Sequence, residues 1–115
     1  MTTSTRQLDG VTIVDLSGRI TLDEGSAALR ETIKQLIGQG QKRVLLNMSK
    51  VQYIDSSGIG ELLSAFTSAR EQGGDLKLLN LTKKVHDLIQ ITKLYAVFDI
   101  RDDEAAAVQA FSKSA

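Results

Sequence analysis

The sequence predicts an α/β fold: one domain with a mixed, mostly parallel sheet, an N-terminal antiparallel hairpin and about four helices. Two observations support this prediction. Short apolar runs that are typical of buried strands alternate with stretches whose apolar residues recur at helical spacing. The turn signal Asp9-Gly10 separates the first two strands. The chain has 115 residues, so we expect a single domain over 1–115, with soft ends at about 1–4 and 112–115.

The first half of the chain predicts two strands, a helix and a third strand. Strands at 5–8 and 11–16 flank the turn, and the second lies inside the sheet because it is apolar on both faces. The predicted helix at 24–38 has one apolar stripe. This stripe comprises Ala28, Leu29, Ile33, Leu36 and Ile37. The run Val44–Leu46 is too short for a helix and predicts a buried parallel strand, which a short loop joins to the next helix.

The second half predicts a helix at 57–72, a buried strand at Leu76–Leu79 and a helix capped by Thr82. A last strand at Val97–Ile100 precedes a terminal helix, whose first turn carries the acidic residues 102–104. The resulting element order is β-β-α-β-α-β-α-β-α. In this order the strands after the hairpin are joined by helical crossovers, which predicts parallel pairing.

Composition excludes several classes of function. Fourteen Lys and Arg residues balance fourteen Asp and Glu residues, so no net charge attracts nucleic acid or an anionic membrane. The chain has no cysteine and one histidine, His86, so we expect no metal site and no cofactor. The N-terminus lacks an apolar signal segment, and no run is long enough to insert into a membrane, so we expect a cytoplasmic protein.

The sequence Asp55-Ser56-Ser57-Gly58 at the start of the 57–72 helix is the most informative segment. It places two hydroxyls beside unpaired backbone N–H groups, which suit an anion. A plain helix start is the alternative, with Ser56 or Ser57 as the cap, but the acid of a capping box is missing. Gly58 and Gly60 weaken the first turn. We therefore expect another molecule to approach the backbone closely here.

Several segments together resemble the STAS domain of bacterial anti-sigma factor antagonists. They are the strand end at 16–20, Val44–Asn47, the motif Tyr53–Gly60, and the downstream segments 73–80 and Val85–Ile89. The resemblance implies a non-enzymatic switch. An unphosphorylated antagonist binds an anti-sigma factor, which is also a serine kinase, and so frees the sigma factor. The kinase then phosphorylates and releases the antagonist, and a serine phosphatase resets it.

The resemblance also implies roles for individual residues. The phosphoacceptor is the serine directly after the motif aspartate, here Ser56. The implied partner-binding residues are Thr21, Asp23, Asp55, Ser57, Gly58, Ile59, Gly60 and Glu61. Thr21 departs from the family pattern, since an aspartate is usual at this place, and Asp23 supplies that charge only if the loop is displaced. Phosphorylation would bring the chain to a net charge of about −2 and set a dianion beside Asp55.

Two alternatives stay open. The chain could be an unphosphorylated STAS scaffold or accessory subunit, in a stressosome-like assembly or on an ABC transporter ATPase, because the fold alone does not decide function. An enzyme is less favoured, because no Gly-x-Ser-x-Gly elbow surrounds the serines that His86 would have to activate. Nucleotide binding has only weak support, since 58–63 fails the G-x-G-x-x-G pattern.

Overall fold

A computed structural model describes residues 1–112, which form a five-stranded sheet with helices on both faces. The elements in chain order are β1 (Thr2–Leu8), β2 (Val11–Ile20), α1 (Ser26–Gly38), β3 (Arg43–Ile54), α2 (Ser56–Glu71), β4 (Asp75–Leu79), α3 (Lys83–Ile91), a 3₁₀ turn (Leu94–Ala96), β5 (Asp99–Arg101) and α4 (Glu104–Ser112). The predicted fold class and element order are confirmed. Among the helices of residues 1–112, none has the length and hydropathy needed to cross a bilayer.

The sheet has the strand order β1-β2-β3-β4-β5, and β1 with β2 is its antiparallel pair. Asp9 and Gly10 both have positive φ, 52° and 80°, as a two-residue type I′ turn requires. The hairpin begins at Thr2, earlier than the predicted strand at 5–8. Residues 2–4, expected at a soft end, pair with β2. At the other end Ser112 closes α4, and 113–115 lie outside the described residues.

The sheet is apolar on both faces, and each face has its own core. On one face Val14, Leu46 and Leu78 are neighbours in register, and α1, α2 and α3 cover them. On the other face Ile13, Leu45 and Leu79 pack against α4, which contributes its own core cluster. That cluster comprises Ala107, Val108 and Phe111. Burial on both faces explains why the central strands read as continuous apolar runs.

Several element boundaries differ from the prediction. The second strand, predicted at 11–16, runs on to Ile20. The third strand extends over Arg43–Ile54, well beyond Val44–Leu46, and no loop separates it from α2. Parallel pairing with β2 sustains its polar second half up to Ile54. The last strand is Asp99–Arg101, and Val97 lies outside it, 41% exposed. Helix α1 begins at Ser26.

The predicted apolar stripe of α1 is wrong at one position. Leu29, Ile33 and Leu36 are buried as expected, and Ile37 is half-buried, but Ala28 is exposed. Alanine has little surface to bury, so its orientation follows that of its larger neighbours.

Charged groups tie the sheet together on the α4 face. The Arg6 guanidinium donates to Asp15 at 2.8 Å and to Glu104 at 3.1 Å, joining β1 to β2 and α4. Its hydrogen bonds lower the pKa of both carboxyls. Lys77, in β4, is 4% exposed, and its ammonium lies 2.9 Å from Asp99 in β5. The Arg6–Glu104 and Lys77–Asp99 contacts thus link elements that are distant in the sequence.

Candidate functional site

The geometry of the site comes from two neighbouring parallel strands that end side by side. Ile20, the last residue of β2, pairs with Ile54, the last residue of β3. A tight turn over 21–25 follows β2, and α2 follows β3 after the single residue Asp55. The turn and the first turn of α2 therefore share the carboxyl edge of the sheet, where sites in open α/β sheets collect.

Asp55 is the N-cap of α2. The plain helix start considered from the sequence had Ser56 or Ser57 in this role. Asp55 Oδ1 accepts a hydrogen bond from the Gly58 amide at 2.9 Å, and its Oδ2 accepts one from the Leu22 amide at 3.0 Å. These amides, that of Gly58 first, hold the pKa of the Asp55 carboxyl below its usual value. The ionised carboxylate thus caps the helix and holds the 21–25 turn against it.

The two serines of the motif have different surroundings. Ser56 is the first residue of α2 and is exposed, and its hydroxyl is hydrogen-bonded to no group of residues 1–112. The Ser57 hydroxyl is half-buried and donates to Ser26 Oγ at 3.2 Å. Ser26, at the start of α1, is only 1% exposed. Ser56 is therefore the hydroxyl open to another molecule, and Ser57 joins α2 to α1.

The two glycines of the first turn serve different purposes. A Cβ on Gly58 would lie 2.1 Å from the Ile20 carbonyl oxygen and 2.6 Å from Ile54 Cγ1. The close approach at Gly58 is therefore to the chain's own β2, which corrects the expectation of another molecule at this position. A Cβ on Gly60 would meet nothing within 4 Å, and Gly60 is exposed. Of these two glycines, Gly60 is thus the one whose backbone another molecule can approach.

Hydrogen bonds within the 21–25 turn fix its shape. Thr21 Oγ1 accepts from the Glu24 amide and donates to the Glu24 carbonyl, each at 3.1 Å. Gly25 has φ 94°, and a Cβ there would lie 2.1 Å from the Arg19 carbonyl oxygen. Thr21, which departs from the family pattern, therefore stabilises the turn. Asp23 is exposed at the tip, next to Leu22.

The remaining predicted partner residues are less accessible. Ile59 is 6% exposed and belongs to the core under α2. The Glu61 carboxylate accepts two hydrogen bonds from Arg30 of α1, at 3.0 and 2.8 Å. The charge of Glu61 is thus already paired within the chain. Of the predicted set, Asp23 and Gly60 are exposed, while Thr21, Asp55, Ser57 and Glu61 are partly exposed.

Sequence reasoning missed Leu22, whose side chain is 75% exposed on the turn that Asp55 holds. The sequence did contain a signal for it. Leu22 stands alone between Thr21 and Asp23, outside every predicted apolar stripe, so no core position accounts for it. An exposed leucine beside Ser56 gives the site an apolar contact as well as polar ones.

Nothing in residues 1–112 resembles a metal site, because no three His, Asp or Glu side chains are grouped to hold an ion. His86 lies on α3, and its ring contacts that of Tyr95 edge-on, with 4.8 Å between the centroids. The Ser56 hydroxyl has no hydrogen bond to this imidazole within the described part of the chain.

Comparison with known proteins shows which family this chain belongs to. A family model described as the STAS domain matches residues 2–107. The anti-sigma-B factor antagonist of Bacillus subtilis (strain 168) is 33% identical over 96 residues, which cover 84% of this chain and 86% of that protein. An anti-sigma factor antagonist from Mycobacterium paratuberculosis has a crystal structure that matches with a TM-score of 0.82 at 21% identity, covering 96% of this chain and 93% of that one.

A further structural match is the phosphorylated form of the Bacillus cell fate determinant SpoIIAA. Its TM-score is 0.72 at 19% identity, and the match covers 95% of this chain and 98% of that one. At this identity the two structures share the fold. The family match over nearly the whole chain, together with the Bacillus subtilis relative, shows that this chain belongs to the STAS domain family.

Proposed function

We propose that this protein is an anti-sigma factor antagonist that acts in the cytoplasm. In its unmodified form it binds an anti-sigma factor that is also a serine kinase, and the sigma factor is released. Phosphorylation of Ser56 by that partner ends the binding, and a serine phosphatase restores it. The relatives named anti-sigma factor antagonists support the first part of this proposal.

The observation that carries the phosphorylation step is the free Ser56 hydroxyl at the start of α2. A kinase must reach the hydroxyl that it modifies, and the half-buried Ser57 hydroxyl is engaged with Ser26. The first-turn amides of α2 also stabilise a phosphate in the free protein, because helix N-termini favour negative charge. The helix N-terminus therefore supports a phosphate at this position in the free protein.

The proposed docking face consists of four exposed or partly exposed residues around Ser56: Leu22, Asp23, Asp55 and Gly60. Leu22 supplies an apolar contact, Asp23 a charge that forms no ion pair within residues 1–112, and Gly60 a backbone that a partner can approach closely. Thr21, Ser57 and Glu61 flank this face and hold it in shape. Gly58 and Ile59 contribute through packing beneath it.

A phosphate on Ser56 would disrupt this face through two effects. It adds a charge of about −1.5 to −2 next to the Asp55 carboxylate, which stays ionised because its pKa is lowered. It also introduces a solvated group beside Leu22, where the partner must exclude water. Like charge and desolvation at an interface each weaken binding by orders of magnitude, so we expect a loss of affinity of about 100-fold or more.

The experiment that tests the site is in vitro phosphorylation by the cognate anti-sigma kinase with ATP, followed by phosphosite mapping by mass spectrometry. We expect phosphate on Ser56 in the wild type and none in Ser56→Ala. Ser57→Ala is the matched control, since it removes the neighbouring hydroxyl and leaves Ser56 in place. Phosphate on Ser57 alone would overturn the assignment. Absence of both binding and phosphorylation would favour the scaffold or transporter-subunit alternative.

A further inference from the structure

The edge strand β1 is an unusual surface for a small domain. All seven of its residues, Thr2–Leu8, are exposed. It pairs with β2 on one side, and no strand of residues 1–112 pairs with its outer side. A strand with a free edge presents unpaired N–H and C=O groups that another strand can join.

The hairpin geometry shows which backbone groups point outward. Leu8 and Val11 close a two-residue turn, so they form a hydrogen-bonded pair. Hydrogen-bonded and non-hydrogen-bonded positions alternate along an antiparallel pair. The residues at 4, 6 and 8 therefore direct their backbone groups to β2, and Thr3, Thr5 and Gln7 direct theirs to the free edge.

This edge lacks the features that usually prevent pairing between chains. Thr2–Leu8 contains no proline and no lysine, and its register with β2 has no bulge. Its single charged residue, Arg6, is held over the α4 face by Asp15 and Glu104. The charge of Arg6 is thus compensated within its own chain and does not prevent another strand from pairing with this edge.

We propose that β1 pairs in antiparallel fashion with β1 of a second copy of this chain, extending the sheet across a two-fold axis. Centring the axis on Thr5 sets Thr5 opposite Thr5 and Thr3 opposite Gln7. Each of these pairs is a hydrogen-bonded pair that uses the outward N–H and C=O groups. The same register sets Arg6 opposite Ser4, so no like charges face each other directly.

Two properties favour a second copy as the occupant. The edge is self-complementary in the register above, with a β-branched Thr–Thr pair at its centre, which is favourable in sheets. The chain also has a formal net charge of zero, so two copies approach without long-range repulsion. This proposal concerns self-association and does not rest on the proposed function.

The test is sedimentation equilibrium of the full chain over concentrations that cover Kd values from about 1 µM to 1 mM. We expect the wild type to dimerise and Thr5→Pro to dissociate at least about tenfold more readily. Proline removes the outward N–H of Thr5 and leaves the hydrogen bonds to β2 intact, and prolines are accepted on edge strands. Thr5→Ala is the matched control, because it keeps the N–H and should still dimerise.

A second variant keeps the proposal falsifiable if Thr5→Pro does not fold, as judged by circular dichroism. Thr5→Lys retains every backbone group but sets two lysines opposite each other, so it should also weaken the dimer. A wild type that is monomeric throughout this range would overturn the proposal. So would a dimer that either Thr5→Pro or Thr5→Lys, once folded, leaves unchanged.

Discussion

Substituting alanine for Gly58 should destabilise the protein, because its new Cβ has no room. That atom would lie 2.1 Å from the Ile20 carbonyl oxygen, and ordinary contacts begin near 3.4 Å. The obstacle is backbone, so α2 must move by about 1 Å away from β2 in a closely packed interior. Overpacking of this kind costs about 1–3 kcal/mol, and the better helix propensity of alanine returns at most about 1 kcal/mol. We expect a net loss of about 1–2 kcal/mol.

Gly60→Ala is the matched control, since it makes the same chemical change two residues later in the same helix. A Cβ there meets nothing within 4 Å, so helix propensity should dominate and raise the stability by up to about 1 kcal/mol. The two substitutions should therefore act in opposite directions.

Thermal denaturation followed by circular dichroism measures Tm for both variants, and urea denaturation measures their free energies of unfolding. At about 4–8 °C per kcal/mol for a small domain, the Tm of Gly58→Ala should fall by about 10 °C, and that of Gly60→Ala should rise by a few degrees. If Gly58→Ala is as stable as the wild type, the inferred close packing between α2 and β2 is wrong. An equal loss in Gly60→Ala would contradict the account of the first turn.

Two further predictions concern charged groups. Arg6 lowers the pKa of Asp15 and Glu104 in the folded protein. The two carboxylates therefore stabilise the fold at pH values above their unfolded pKa of about 4. This stabilisation is lost as the pH falls through their lower folded pKa values. Arg6→Gln should make this acid loss shallower in urea denaturation from pH 7 to pH 3, and an unchanged slope would contradict it. Lys77→Ala should lower the free energy of unfolding by about 1–2 kcal/mol, because the Asp99 carboxylate loses the Lys77 ammonium but keeps its hydrogen bonds from Arg101. A thermal melt matching that of the wild type would refute this.

The element order could be predicted because turns and buried strands have local sequence signals. The Asp9-Gly10 turn and the buried runs around Leu45 and Leu78 are each encoded in a few consecutive residues. The full length of β3 could not be predicted in this way. Its second half has exposed polar side chains, and its strand conformation depends on backbone pairing with β2, which lies about thirty residues earlier.

In the site, too, some features are encoded locally and others depend on contacts between distant residues. The motif placed Ser56 at a helix start, and the structure has it there. The capping role of Asp55, and its bond to the Leu22 amide, depend on a contact between residues 33 positions apart. The purpose of Gly58 likewise depends on Ile20 from a different strand. A local pattern shows that such residues are special, but only the packed fold shows what each of them contacts.

The central claim is that a phosphate on Ser56 ends binding to the anti-sigma factor. Isothermal titration of that partner with unmodified and Ser56-phosphorylated protein tests it most directly, with Ser56→Ala, which cannot carry the phosphate, as the control that should keep binding. We expect the phosphorylated protein to bind about 100-fold more weakly or not measurably. Equal affinity of the two forms would contradict the claim.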